Sequence, residues 1–95
     1  MTPTLDVYGT QDEHPLVLVA DDHDDSRVIA RLVLESAGFE VVEASTGHEA
    51  ITLAHAHHPA AILLDMIMPE LDGWDTARRL RSDTSMNSIA IIGLT

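Results

Sequence analysis

The chain has no cysteine and no lysine, sets only five arginines against sixteen acidic residues, and carries one residue each of Trp, Tyr and Phe. Without cysteine, disulfide staples, thiolate nucleophiles and Cys-ligated zinc or iron–sulfur centres are excluded, so the fold has to be held by packing. That usage also fits a reducing compartment. A formal net charge of -11 rules against an electrostatic grip on a phosphate backbone, and no direct nucleic-acid partner is expected. No apolar run approaches the ~20 residues of a membrane span. The opening MTPTLDVYGTQDEHP has neither the basic nor the apolar segment of a leader peptide, so the expected location is cytoplasmic, with no membrane partner.

What is present suits one small α/β domain: 95 residues, 45% of them hydrophobic. Residues 1–15 mix Thr, Asp, Gly, Gln and Pro without apolar periodicity and are expected to form a disordered arm. Residues 16–95 carry the folded domain. Apolar runs at Leu16 to Ala20, Val41 and Val42, Ala60 to Leu64, and Ile89 to Leu94 are rich in Val, Ile and Leu and mostly do not alternate with polar residues, as in a parallel sheet covered on both faces.

Three helices are predicted between these strands. Val28, Ile29, Leu32, Val33 and Ala37 recur at helical spacing, with Asp24 or Asp25 placed to cap and Gly38 to terminate. Thr46 and Glu49 match a capping box ahead of Ala50, Ile51, Leu53 and Ala54, and Pro59 bars continuation past His58. A third stretch, roughly Gly73 to Arg81, turns Trp74, Ala77 and Leu80 to one side and Arg78, Arg79 and Arg81 toward solvent, before the breaker cluster SDTSMNS. Right-handed crossovers then give an open parallel sheet of order 2-1-3-4 with helices on both faces.

In that order the switch point falls between strands one and three, where ligands of such sheets bind. Strand one runs into Asp21 and Asp22 and strand three into Asp65, so neighbouring strands deliver three carboxylates to one edge. Like charges a few Å apart raise one another's pKa unless a cation intervenes, and hard oxygen ligands with room for water and phosphate suit Mg²⁺. An acidic residue after a strand also serves as a helix cap or a solvated loop residue. Three at one switch point favour a site.

The segments LVLVADDHDDSR, ILLDMIMPELDGWD and IAIIGLT resemble the three signature segments of the receiver domain of bacterial two-component response regulators, over Leu16 to Thr95. The resemblance implies a flavodoxin-like fold and a switch more than an enzyme, with at most self-catalysed phosphorylation and dephosphorylation. Asp65 would be the phospho-accepting nucleophile and Thr95 the hydroxyl that senses the phosphoryl group. Asp22 would bind Mg²⁺ directly, Asp21 through water, and the Ile67 backbone carbonyl would complete the protein's ligands. The implied partner is a histidine kinase or histidine phosphotransfer protein, with a homodimer or a downstream effector protein further along. The family pattern continues into a fourth helix, a fifth strand ending in a Lys, and a fifth helix. The sequence ends at Thr95 without them, so a C-terminally incomplete receiver is expected.

Two rival functions differ in class. One is a truncated receiver-like binding module that no longer phosphorylates. The other is an Asp-nucleophile phosphohydrolase of the haloacid dehalogenase type, which wants a second acid two residues after the nucleophile, where this chain has Ile67. His55, His57 and His58 are expected at an exposed helix end, His23 as a solvent-facing loop residue, and the Arg78, Arg79, Arg81 group as a solvated face. Trp74 is expected in the core, or partly exposed if it lies near the site.

Overall fold

The computed structural model describes residues 14–94. Thr95 and nearly all of the expected arm lie outside the described residues. The elements run β1 (Leu16–Ala20), α1 (Asp24–Ser36), β2 (Glu40–Ala44), α2 (Gly47–His57), β3 (Ala61–Asp65), α3 (Gly73–Arg81), a 3-10 turn (Thr84–Met86) and β4 (Ala90–Leu94). All strand pairs are parallel and the order is β2-β1-β3-β4, as the crossover argument predicts.

The core lies on the face covered by α2 and α3. There Leu18 and Ala20 of β1 and Ile62 and Leu64 of β3 pack with Ala50, Ala54, Leu80, Met86 and Ile89. The opposite face carries α1, which contains no fully buried residue. Its periodic residues form a helix without forming a core: Ile29, Leu32 and Val33 are 62%, 56% and 61% exposed.

Helix ends show where local signals acted. Asp24 and Asp25 do not cap α1; His23 stands at the cap without a side-chain bond, and both acids sit inside the first turn. There they complement the helix dipole, and Asp24 is drawn to Arg27 instead, 2.6 Å away. At the other end Gly38 has φ 98°, its N–H bonds Glu35 O and that of Phe39 bonds Leu34 O, a Schellman closure that wants glycine at this position. In α2, Thr46 Oγ1 accepts from Glu49 N–H at 3.0 Å. Glu49 Oε1 reaches back to Ser45 N–H at 2.8 Å, one residue before the cap itself. The helix closes through His58 in a left-handed conformation before buried Pro59.

On α3 one alternative is decided and one expectation is corrected. Trp74 takes the exposed of its two expected settings: it is 64% exposed and lines an open groove with Met66, Ala77, Arg81, Ile91 and Gly93. Arg81 is not merely solvated: Nη1 donates to Met86 O at 3.0 Å and Nη2 to Ile89 O at 2.6 Å. The reason is that the segment read as punctuation folds into a 3-10 turn that buries Met86, leaving outward-facing carbonyls for Arg81 to satisfy.

Candidate functional site

β1 and β3 are neighbours, with Ala20 opposite Leu64, so the residues that follow emerge side by side at the carboxyl edge of the sheet. Asp21 N–H still bonds Ala44 O at 3.0 Å and so extends the β1–β2 ladder by one residue. The chain then turns, and Asp22 and His23 fall beside Asp65. One ligand atom from each of Asp21, Asp22, His23 and Asp65 lies within 4.8 Å of all the others.

The loop after β3 is built around Asp65. Ile67 N–H donates to Asp65 Oδ1 at 3.0 Å, which fixes the carboxylate's rotation. Gly73 opens α3 so close to this loop that a Cβ on it would lie 2.5 Å from both Asp65 O and Met66 Cα. Only glycine permits that approach. Asp72 caps the same helix by accepting from Asp75 N–H at 2.9 Å. Ile67 itself is 77% exposed.

Burial pushes the Asp65 carboxyl above its ordinary range, and the Asp21 and Asp22 carboxylates add to the rise, while the Ile67 N–H opposes it. His23, expected to face solvent, is exposed yet turns its ring to the cluster. Nδ1 lies 3.2 Å from Asp21 Oδ1, 3.2 Å from Asp22 Oδ1 and 3.9 Å from Asp65 Oδ2. The hydrogen bond to Asp21, followed by the charge of Asp22, raises the imidazole pKa. The extended backbone of His23 at the α1 cap swings the ring inward, which residue type alone does not signal.

At the site, Asp22 Oδ1 is buried from water and accepts no hydrogen bond, although the His23 ring faces it with Nδ1 at 3.2 Å. A buried carboxylate oxygen in that state is poised for a cation. The donors are carboxylate oxygens, the hard ligands that Mg²⁺ takes, so the residues present fit that ion. Leu94, in register with Asp65, is the last described residue, and the expected sensor Thr95 lies outside the described residues.

The histidines near the end of α2 do not join a metal-holding group among the described residues. His55 instead meets Asp83, a carboxylate that sequence spacing did not bring near it. No described helix is long and apolar enough to cross a membrane.

Comparison with known proteins gives one consistent result. The profile of the response regulator receiver domain matches residues 17–95. The polar-differentiation response regulator DivK of Brucella ovis is 32% identical over 79 residues, which is 83% of this chain and 64% of that protein. The chain thus spans about 64% of the length of the curated relative. Among solved structures, the N-terminal domain of a response regulator receiver protein from Methanoculleus marisnigri JR1 superposes with a TM-score of 0.84 at 30% identity, covering 87% of this chain and 68% of that one. A CheY-like receiver domain protein from Methanospirillum hungatei JF-1 gives 0.78 at 35% identity, covering 84% and 64% respectively.

Proposed function

The chain belongs to the response regulator receiver domain family, the signalling domains of two-component systems, and from that membership we propose that it is a phospho-accepting switch. In this reading Asp65 takes a phosphoryl group from a histidine kinase or histidine phosphotransfer protein, with Mg²⁺ required. The observation that carries it is the meeting of Asp21, Asp22 and Asp65 at the switch point, with Asp22 Oδ1 buried and accepting no hydrogen bond.

Asp22 and Asp65 would hold Mg²⁺ directly, Asp21 through water, and the Ile67 carbonyl would complete the protein's share. When bound, the ion neutralises the carboxylates and spreads charge from the transferring oxygens. The chain's own part is positional. With Oδ1 tied to Ile67 N–H, Asp65 Oδ2 is the oxygen free to attack phosphorus in line, forming an acyl phosphate as the donor's nitrogen–phosphorus bond breaks. The donor imidazole leaves neutral after taking a proton. Thr95 would donate its hydroxyl to the new phosphoryl oxygens. Ile67, two residues after Asp65, offers no acid for hydrolysis, which disfavours the phosphohydrolase reading.

Acetyl phosphate with Mg²⁺, followed by intact mass, tests the assignment. One phosphoryl group should be added, base-labile, and lost in Asp65→Asn. Equal labelling of that variant would sink the assignment, and no labelling of the wild type in complex with an active kinase would favour the binding module. Asp22→Ala should weaken Mg²⁺ binding before all else.

A further inference from the structure

We propose that Arg27 is a positioning residue for the acidic pair, an inference that rests on Asp21, Asp22 and Asp65 being the Mg²⁺ site. Its side chain is largely buried and forks to three elements. Nη1 donates to the Asp21 carbonyl oxygen at 2.9 Å, Nε to Glu43 Oε1 on β2 at 2.9 Å, and Nη2 to Asp24 Oδ1 in α1 at 2.6 Å. Glu43 is held in turn by Arg31 Nη1 at 2.8 Å.

The bond to Asp21 matters most. Asp21 N–H is tied to Ala44 O in the sheet, and Asp21 O is tied to Arg27, so neither peptide flanking this residue rotates freely. Asp21 Oδ1 then accepts from His23 N–H at 2.9 Å, carrying the constraint into the loop that holds Asp22. The same guanidinium anchors that loop to the start of α1 and to the neighbouring strand. A lysine delivers a single ammonium and lacks the planar fork that reaches three acceptors.

Arg27 is also a cation near an acidic cluster, and that role predicts the opposite outcome. Removing a positive charge should tighten binding of a divalent ion. Removing a positioning group should weaken it, and groups that orient metal ligands typically change affinity by about 10–100-fold.

The test compares the wild-type chain with Arg27→Met, Arg27→Lys and the control Arg31→Met, which loses a bond to Glu43 without touching Asp21. Two quantities are read: the Mg²⁺ dissociation constant, and hydrogen exchange of the His23 amide in metal-free protein. Arg27→Met should bind Mg²⁺ about tenfold more weakly and exchange the His23 amide faster. Arg27→Lys should lie between it and wild type, and Arg31→Met should match wild type in both. Unchanged or tighter binding with unchanged exchange in the Arg27 variants overturns the proposal. If Arg27→Met does not fold, Arg27→Lys decides, because it keeps the charge and loses only the fork. Failure of the wild type to bind Mg²⁺ overturns the reading of the site instead, while the metal-free exchange comparison still decides the role of Arg27.

Discussion

His55 near the end of α2 and Asp83 after α3 form an ion pair in which both imidazole nitrogens face oxygen acceptors: Nε2 lies 2.8 Å from Asp83 Oδ2 and Nδ1 2.9 Å from Ile51 O. A neutral imidazole has only one N–H to give, so this geometry selects the doubly protonated ring. The hydrogen bond to Ile51 O, then Asp83, raises the His55 pKa above its ordinary 6.5. Asp83 is lowered to about 2, first by the Ser85 hydroxyl and then by His55.

The pair therefore works in a defined pH window. For His55 the folded pKa is raised, so its contribution is complete below 6.5 and is lost as pH rises through the folded value. For Asp83 the folded pKa is depressed, so its contribution is complete above 3.8 and is lost as pH falls through about 2. The melting midpoint of Asp83→Asn should fall below wild type near pH 5.5, and the gap should narrow without closing in alkaline buffer, where the His55 charge is lost but the Ser85 bonds to the carboxylate remain. A His55 titration near its ordinary value in wild type, followed by NMR, would contradict the pairing.

Asp65→Asn should stabilise the metal-free protein. Because the folded pKa of Asp65 is raised, the stability linked to this group is present below its ordinary 3.8 and lost as pH rises through the folded value. At neutral pH the ionised group thus opposes folding, and an amide still accepts the Ile67 N–H. A melting midpoint higher by a few degrees is expected, shrinking when saturating Mg²⁺ is added to wild type. A lower midpoint without metal would show that the carboxylate cluster is not under strain.

Two glycines should respond differently to alanine. A Cβ at Gly73 meets backbone at 2.5 Å, which has nowhere to go, whereas a Cβ at Gly93 meets the Met66 thioether sulfur at 2.7 Å, which can swing into the groove. Gly73→Ala should destabilise by about 1–3 kcal/mol despite the better helix propensity of alanine. Gly93→Ala should change stability far less. Urea unfolding of the two variants checks the contrast, and equal losses would refute it.

A protein consisting of these 95 residues should self-associate. Ile29, Leu32 and Val33 are exposed on α1, and the edge strand β4 shows Ile92 and Leu94 to solvent. Burying such surface at ~25 cal/mol per Å² favours pairing. Sedimentation at micromolar concentration should reveal dimers or larger species, and a cooperatively folding monomer would overturn the expectation.

The strand order and the acidic edge were legible because both follow from local signals: apolar runs of strand length, helix caps and breakers between them, and Asp21, Asp22 and Asp65 at strand ends. Crossover handedness did the rest. What escaped was carried by distance. Asp83 reaches His55 across 28 residues, and Glu43 reaches Arg27 across 16, so no spacing rule pairs them. Met86 looked like part of a polar breaker cluster because its burial depends on a 3-10 turn packed under α3. Trp74 shared a helical face with Leu80, yet that face extends past the core into an open groove.

The sheet order also has a consequence for how the chain emerges from a ribosome. β1, made first, is an inner strand that pairs with both β2 and β3, so its two ladders close only after Asp65 has been synthesised. β4 adds afterward to the outer side of β3. A nascent chain can therefore assemble three strands and the Asp21, Asp22 and Asp65 cluster before β4 is made. Growth is then outward from a finished centre, with β3 as the template on which each newly exposed residue of β4 pairs in turn.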